Sequence, residues 1–411
     1  MRDALFLKTF KKFDWLLFFA MVCLLIIGVI AIYSATFSSG SDYLKQNYER
    51  QIIWAGIGFL LFFLTVAVHF KYYQAFAYVL YGVSIFFLIL VLIMGNRGGG
   101  AVRWIAFGGI KFQPSEWAKL FTIFALARYL SDNVHQIRSS KVLAIALAIG
   151  LLPMVLIFKE PDLGTSLVFA AIIGSVLFWA DVSPLALFLI AAPFLTMLAS
   201  FNFYAFFAVM ILIAGILYIV KRPLIFSIGN VLLNLFVGIV TPFFWNSLHA
   251  YQQQRLLTFL GLVSDPRGLS YQVIQSKVAI GSGGFWGKGF LHGTQTQLRF
   301  LPAQHTDFIF SVIGEELGFI GGMVVLILFA VILFRGFRIA ANTKNRFAGL
   351  LGIGVTTMFL YHVVVNIGMV TGIMPVTGLP LPFISYGGSF VLVSMVAMGV
   401  LVNVSMRKYE Y

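Results

Sequence analysis

The sequence predicts an all-α polytopic membrane protein of about 10–12 transmembrane helices with one large extracytoplasmic loop. Three observations support this fold class. Hydrophobic residues make up 60% of the chain, and charged residues make up only 10%, against roughly 25% in an average soluble domain. The hydrophobic residues occur in runs long enough to cross a bilayer. A single long polar, glycine-rich stretch, 246–305, interrupts these runs.

Twelve apolar runs approach or exceed the roughly 17–25 residues of a transmembrane helix. They are 15–35, 51–70, 75–95, 116–131, 142–159, 163–180, 185–201, 204–220, 224–245, 306–334, 347–372 and 386–405. The first run follows Lys8, Lys11 and Lys12 as a signal peptide would. Its apolar core is longer than the roughly 7–15 residues of a signal peptide, so we interpret it as an uncleaved helix.

Basic residues in short loops predict the orientation, because cytoplasmic loops carry an excess of lysine and arginine. An alternating count of the runs places the basic loops on one side: Lys8, Lys11, Lys12, Lys71, Arg138, Lys141, Lys221, Arg222, residues 335–346, Arg407 and Lys408. We therefore expect both termini in the cytoplasm and the stretch 246–305 outside.

Four cations lie at the outer ends of predicted helices, where this rule disfavours them: Arg50, Arg103, Lys111 and Lys119. Cations near the membrane interior are costly unless they are paired. The chain has 28 Lys and Arg against 14 Asp and Glu, so internal partners are scarce. The nearest ones in sequence are Glu49, Glu116, Glu160 and Asp162. Two interpretations stay open: the side chains reach toward lipid headgroups, or an anionic ligand binds at the outer face.

Four segments carry the distinctive polar residues. They are RWIAFGGIKFQPSEWAKL (103–120), KEPDLGT (159–165), DFIFSVIGEELGFIGG (307–322) and TGLPLPFISYGGSF (377–390). Irregular backbone like the last segment is tolerated at membrane depth only where protein buries it or a cavity adjoins it. None of the four matches a nucleotide, haem or zinc signature. The histidines show no metal-ligand spacing, and we interpret His292 and His305 as hydrogen-bonding loop residues.

Together these segments closely resemble the SEDS family (shape, elongation, division, sporulation) of bacterial cell-wall glycosyltransferases. The resemblance covers most of the chain, and FISYGGS at 383–389 is highly specific. The stretch GTQTQLRFLPAQHTDFIFS at 293–311 is most similar to the elongation branch, typified by RodA. The family typically has ten transmembrane helices. We therefore interpret residues 181–223 as an extra transmembrane hairpin.

The resemblance implies a function, partners and a location. The family polymerises lipid II, the undecaprenyl-pyrophosphate disaccharide-pentapeptide, with inversion at the donor sugar. It works with a class B penicillin-binding protein transpeptidase, and we also expect other membrane proteins of the elongation complex as partners. The expected location is the bacterial inner (cytoplasmic) membrane. A divalent cation, Mg or Mn, is expected at the site, with no organic cofactor and no nucleic-acid partner.

Asp265 is the candidate catalytic residue. Pyrophosphate is a good leaving group that needs charge stabilisation more than a general acid, whereas the attacking hydroxyl needs a general base. Asp265 is the only acidic residue in 246–305, and the family's catalytic aspartate falls on this Ser-Asp-Pro position. The same tripeptide favours a helix start, with Asp as N-cap and Pro in the first turn. The two roles are compatible, because a capping side chain is rigidly placed.

Four cations are candidates for binding or supporting the pyrophosphates. Arg50, Arg103 and Lys119 are assigned to phosphate oxygens, for which the arginine fork in particular is well shaped. Lys277 is expected to keep Asp265 ionised. Glu116 lies three residues before Lys119 on a predicted helix, which favours an ion pair and makes Glu116 an organising residue.

The other acidic residues are assigned supporting roles. Glu160 and Asp162 have a catalytic and a structural interpretation, and local capping and pairing is the favoured one. Glu315 and Glu316 are expected to pair with cations of the loop. Five closely spaced glycines predict a flexible, close-packed loop: Gly281, Gly283, Gly284, Gly287 and Gly289.

Two functions from other classes remain as alternatives. A lipid II flippase would also place polar residues in broken helices, but an alternating-access site belongs near the membrane midplane. The polar residues here cluster on the predicted outer side. A non-catalytic scaffold for cell-wall synthases would not need an isolated carboxylate in its outer loop.

Overall fold

The computed structural model describes residues 12–38, 42–94, 96–98, 101–107, 110–221, 223–247, 250–259 and 269–410. The chain forms two compact units, each described by itself below. The first contains residues 1–180 and 257–411, and the second contains residues 181–256. The described residues are mostly helical, which agrees with the predicted fold class.

The first unit contains most of the helices and one small sheet. Before the second unit come α1 (Trp15–Phe37), α2 (Asp42–Lys45), α3 (Asn47–Ala67), α4 (Phe70–Met94), β1 (Asn96–Gly98), β2 (Ala101–Phe107), β3 (Ile110–Phe112), α5 (Pro114–Asp132), a 3₁₀ turn (Val134–Gln136), α6 (Ser140–Lys159) and α7 (Leu163–Trp179). The three strands form an antiparallel meander, in which β2 pairs with both neighbours.

The second unit and the rest of the first follow along the chain. The second unit contains α8 (Pro184–Ala199), α9 (Phe203–Ile219), α10 (Leu224–Ser247) and the first part of α11 (Ala250–Phe259). The first unit resumes with α12 (Leu269–Gly283), α13 (Thr294–Gln297), α14 (Ile309–Glu316), α15 (Gly318–Asn342), α16 (Arg346–Thr371) and α17 (Gly388–Met406). The predicted outer loop at 246–305 therefore contains helices.

Every predicted apolar run corresponds to at least one helix. Among the described residues, eight helices are long and apolar enough to cross a membrane, and three shorter apolar helices are α7, α8 and α9. The prediction of a single helix over the run 306–334 was wrong, because two helices occupy it. Gly318, with φ of +65°, separates α14 from α15, because a left-handed residue cannot continue a right-handed helix. The spanning helix begins only at Gly318.

The core of the first unit is built around α16 and α17, in which 83% and 89% of the most apolar window is buried. The α17 helix packs closely on α3, since Gly399 lies against Thr65 and Gly58 lies against Met395. Asn403 then donates to the Thr65 and Val66 carbonyls at 2.9 and 3.0 Å, at the end of α3. Small residues and buried amides of this kind are the usual means by which membrane helices associate.

The second unit includes the predicted hairpin at 181–223. Its two helices are α8 and α9, and Asn202 caps the second by accepting from the backbone N–H groups of Tyr204 and Ala205. A small apolar cluster joins α8 to α9 through Ala192, Ile213 and Leu217. One buried polar contact links α8 to α10, where the Thr196 hydroxyl donates to Asn234 Oδ1 at 2.9 Å.

Candidate functional site

The segment between α16 and α17, residues 372–387, is the point where the four sequence motifs meet. We call it the broken segment. It begins at Gly372, whose φ of +77° ends α16. Its carbonyls are satisfied by side chains as well as by backbone. Asn366 Nδ2 donates to the Leu379 carbonyl at 2.8 Å and to the Asp307 carbonyl at 2.9 Å, which ties the segment to the HTDFIF stretch.

The first turn of α3 holds the far end of the broken segment. Gln51 is fully buried. Its side-chain nitrogen donates to the Ser385 carbonyl at 3.2 Å, and its oxygen accepts from the Gly387 N–H at 3.3 Å. Arg50, the preceding residue, donates to Gln46 Oε1 at 3.4 Å. The predicted phosphate ligand Arg50 therefore adjoins a residue that fixes the broken segment.

The KEPDLGT motif forms the turn between α6 and α7 and also reaches the broken segment. Asp162 caps α7 by accepting from the Thr165 N–H at 3.1 Å and the Thr165 hydroxyl at 3.0 Å. This confirms the predicted capping. Gly164 lies so close to Thr377 that an added Cβ would be 2.8 Å from the Thr377 carbonyl oxygen. Glu160, in the same turn, is 1% exposed.

The first turns of α5 place an ion pair inside the protein. Glu116 and Lys119 are 2.8 Å apart, as their spacing predicts, and their side chains are 4% and 1% exposed. The contact is close, but the bonded oxygen of Glu116 lacks a well-directed hydrogen bond. Lys119 Nζ also lies 2.9 Å from His362 Nε2 in α16. The Lys119 ammonium is paired with protein and buried, so in this structure it organises Glu116 and His362 and has no surface to offer a phosphate.

Of the remaining predicted site residues, the structure describes the side chain of Lys277 but not those of Asp265 and Arg103. Lys277 lies on α12 against the start of the broken segment, since an added Cβ on Gly372 would be 2.3 Å from Lys277 Cε. Its side chain is exposed. Asp265 lies outside the described residues. Arg103 is within β2, and its side chain is also outside what the structure describes.

A second polar cluster lies where residues 284–293, the glycine-rich turn between α12 and α13, meet the end of α14. Glu315 is fully buried and accepts from Lys288 Nζ at 2.9 Å. It also accepts from the Gln295 and Thr296 N–H groups, each at 2.9 Å. Burial alone would raise the pKa of Glu315, but the hydrogen bonds from Lys288, Gln295 and Thr296 hold the pKa below its ordinary value. The predicted pairing of Glu315 with a loop cation is confirmed.

Glu316 behaves differently from its neighbour. It pairs with no cation in the contacts of the described residues. Instead it accepts from the Ser34 hydroxyl at 2.5 Å and from Gln297 Nε2 at 3.5 Å. Burial raises the pKa of Glu316 above its ordinary value, although these hydrogen bonds oppose the shift. In the part of the chain that the structure describes, the hydroxyl of Ser34 on α1 contacts Glu316 where a loop cation was expected.

Two of the five glycines for which close packing was predicted, Gly283 and Gly287, lie close against other backbone, whereas an added Cβ on Gly281 or Gly284 would meet nothing within 4 Å. An added Cβ on Gly283 would lie 2.0 Å from the Gly314 carbonyl oxygen, and one on Gly287 would lie 2.1 Å from the Glu316 carbonyl oxygen. His292 bonds locally, since its Nδ1–H donates to the Phe290 carbonyl oxygen at 2.8 Å. Among the described residues, no three His, Cys, Asp or Glu side chains are grouped to hold a metal ion.

Three residues of the site were not found by sequence analysis: Gln51, His362 and Asn366. Each is buried and polar within an apolar helix. A polar residue inside a transmembrane helix is a functional candidate by default, and that signal was present for His362 and Asn366, one helical turn apart.

Comparison with known proteins places the chain among cell-wall synthases. The family model FtsW/RodA/SpoVE, described as cell cycle protein, matches residues 14–207 and 184–410. The peptidoglycan glycosyltransferase MrdB of Escherichia coli K12 is 35% identical over 385 residues, covering 93% of this chain and 91% of that protein. Peptidoglycan glycosyltransferase RodA of Treponema pallidum is 33% identical over 434 residues, covering 98% of this chain and 99% of that protein.

Two solved structures are similar along nearly the whole chain. A chain from a peptidoglycan synthase complex that coordinates polymerization and crosslinking has a TM-score of 0.72 at 29% identity, covering 97% of this chain and 99% of that one. The crystal structure of the Thermus thermophilus rod shape determining protein RodA has a TM-score of 0.64 at 27% identity, covering 97% of this chain and 98% of that one.

Proposed function

The chain belongs to the FtsW/RodA/SpoVE family, and we propose on that premise that it is a peptidoglycan glycosyltransferase that polymerises lipid II into glycan strands during cell elongation. The observation that carries this proposal is the convergence of the four motifs on the broken segment. Relatives that match nearly the full length are named peptidoglycan glycosyltransferases. The chain is a multi-pass membrane protein, and we place it in the cytoplasmic membrane with both termini inside.

Asp265 is the proposed general base. It takes the proton of the acceptor 4-hydroxyl as that oxygen attacks the anomeric carbon of the donor sugar. The bond from this carbon to the pyrophosphate oxygen breaks, and undecaprenyl pyrophosphate leaves with the electron pair. Attack from the opposite face inverts the anomeric centre. The family resemblance at Ser-Asp-Pro and the absence of any other acidic residue from 246–305 support this assignment.

Arg50, Arg103 and Lys277 are the proposed partners of the pyrophosphate groups. Lys277 supports the assignment by its exposed position beside Gly372. Lys119 is assigned an indirect role, since its side chain is 1% exposed and contacts Glu116. Glu116, Glu160 and Asp162 are proposed to support the site structurally. A divalent Mg or Mn ion near Asp265 would add charge stabilisation when bound.

The proposed partner is a class B penicillin-binding protein transpeptidase. The similar solved chain comes from a complex that coordinates polymerization with crosslinking, so a crosslinking partner fits this chain as well. Its single transmembrane helix and pedestal would contact a lipid-facing helix and the outer segment. Other membrane proteins of the elongation complex are further expected partners.

The test compares purified wild type with Asp265→Ala, each bound to its cognate transpeptidase and supplied with labelled lipid II, with and without Mg or Mn. Asp132→Ala is the matched control, because Asp132 is half-exposed at the other end of α5. We expect long glycan strands from wild type and the control, and none from an equally folded Asp265→Ala. Equal polymerisation by all three would remove Asp265 from the mechanism. No polymer from any of them, with lipid II crossing vesicle membranes, would favour a flippase.

A further inference from the structure

His362 lies in α16 between the buried ion pair of α5 and the broken segment. Its side chain is almost fully buried, with the residue 1% exposed. Nε2 lies 2.9 Å from Lys119 Nζ, and Nδ1 lies 3.1 Å from the Pro380 carbonyl oxygen. The imidazole also packs against the Phe390 ring at the start of α17, with 5.0 Å between centroids. One side chain therefore touches three elements that carry sequence motifs.

The two contacts determine the tautomer of His362. A carbonyl oxygen only accepts hydrogen bonds, so Nδ1 must carry a proton to bond with Pro380. A lysine ammonium only donates, so Nε2 must present its lone pair to Lys119. The ring is therefore neutral, with its proton on Nδ1. An imidazolium would place a second positive charge beside Lys119 and would lose that bond.

Lys119 Nζ contacts three side chains of the protein. Nζ forms an ion pair with Glu116 Oε2 at 2.8 Å, and one N–H donates to His362 Nε2 at 2.9 Å. The ammonium also lies over the Phe390 ring, 5.6 Å from its centroid. The result is a continuous chain of contacts from Glu116 through Lys119 and His362 to Pro380. It joins the head of α5 to the middle of the broken segment.

We infer that His362 is a positioning residue for the proposed polymerase reaction, and that it fixes the Glu116–Lys119 pair relative to the broken segment through its Nδ1–H tautomer. This inference rests on the proposed function for its effect on catalysis, but not for the contact itself. A second link supports it, since the Gln113 N–H donates to the Ser389 hydroxyl at 3.3 Å beside the same pair. Without His362, the Pro380 carbonyl and one Lys119 N–H would lose their partners inside the protein.

The contact is tested first by nitrogen-15 NMR of histidine-labelled protein in lipid bilayers. The chain has six histidines, and His362→Gln identifies the signal that disappears. We expect a neutral ring with the proton on Nδ1, and we expect Lys119→Met to change that signal because Nε2 loses its donor. A proton on Nε2, or a signal unchanged in Lys119→Met, would overturn the inference whatever the enzyme does.

The role is tested by polymerisation kinetics of His362→Leu and His362→Gln. Leucine keeps the bulk of the side chain but makes neither hydrogen bond. We expect turnover to fall on the order of 100-fold with little change in KM, as when catalytic groups are misplaced by about 1 Å. Glutamine offers an acceptor to Lys119 and a donor to Pro380, so it should restore most of the turnover. His69→Gln, which alters a histidine paired with Glu410, is the control that should retain wild-type turnover.

A double variant separates positioning from general damage. If His362 acts through Lys119, then His362→Leu should cost little more turnover once Lys119→Met is present. Additive losses would show that the two residues act independently and would overturn the inference, as would wild-type turnover in His362→Leu. A wild type that makes no glycan would instead refute the proposed function, and the tautomer measurement would still decide the contact.

Discussion

Two lysine–glutamate pairs in this protein have nearly the same length and opposite surroundings. Glu116 and Lys119 are 2.8 Å apart, and Glu315 and Lys288 are 2.9 Å apart. The Lys119 side chain is 1% exposed, whereas that of Lys288 is 26% exposed. Glu315 accepts four further hydrogen bonds from Thr294, Gln295 and Thr296. The bonded oxygen of Glu116 has no well-directed hydrogen bond at all.

The difference shows what each pair does. Backbone and hydroxyl donors satisfy Glu315, and Lys288 is one donor among several, so the glycine-rich turn would keep most of its contacts without it. Glu116 and Lys119 depend on each other, because desolvation penalises each charge and the opposite charge offsets it. A pair so poorly suited to stability, placed among the family motifs, is better explained by function.

The largest predicted effect is that of Lys119→Met. Removal of one partner leaves the other charge buried and uncompensated, which costs about 3–5 kcal/mol. We expect a loss of that size in the free energy of unfolding, measured by SDS titration in mixed micelles. Glu116→Gln combined with Lys119→Met should recover most of the stability, since no lone charge remains. A single variant within about 1 kcal/mol of wild type would show that water or a neighbour already solvates Glu116.

Glu315→Gln should have the next largest effect. The substitution keeps the volume but removes the charge, and its amide nitrogen would face donors. A hydrogen bond to a charged group is worth about 1.5–3 kcal/mol, and we expect local rather than global destabilisation of that order. The measurement is hydrogen exchange at the Gln295 and Thr296 amides, which should become faster. Glu410→Gln, near the C-terminus, should leave both rates unchanged.

The contrast between the two pairs also separates what the sequence could and could not predict. Contacts close in sequence were accessible: Glu116 with Lys119 follows from helical spacing, and the Asp162 cap follows from its position before a helix. Gln51, His362 and Asn366 each have a partner far away along the chain, namely Ser385, Lys119 and Asp307. No local pattern records which distant carbonyl such a side chain will meet.

Two other features show the same limit. The break at Gly318 lies inside a continuous apolar run. It depends on tertiary packing, since a Cβ added to Gly318 would lie 2.3 Å from the backbone nitrogen of Gly287. That Glu315 contacts a lysine whereas Glu316 contacts a hydroxyl also depends on what each side chain meets in the fold. Composition and apolar run length, by contrast, were sufficient for the fold class, because the bilayer imposes helices on any chain that crosses it.

A smaller effect distinguishes the adjacent carboxyls by pH. The pKa of Glu316 is raised by burial, so the folded state favours its protonated form, and stability falls as the pH rises from the ordinary glutamate pKa through the raised one. The pKa of Glu315 is lowered, so its contribution is complete above the ordinary value and is lost as the pH falls through the lowered one. Glu316→Gln should therefore flatten the stability profile on the neutral side only. Flattening on the acid side instead would reverse the assignment.

The smallest predicted effect is that of Lys288→Met. Lys288 is partly exposed, and ion pairs in such positions contribute about 0.2–1 kcal/mol. Because Glu315 keeps its bonds from Gln295 and Thr296, we expect a change in the free energy of unfolding no larger than that, in the same SDS titration used for Lys119→Met. High salt should reduce it further by screening. A loss as large as that of Lys119→Met would mean that the glycine-rich turn depends on its cation as strictly as the buried pair does, and the contrast between the two regions would disappear.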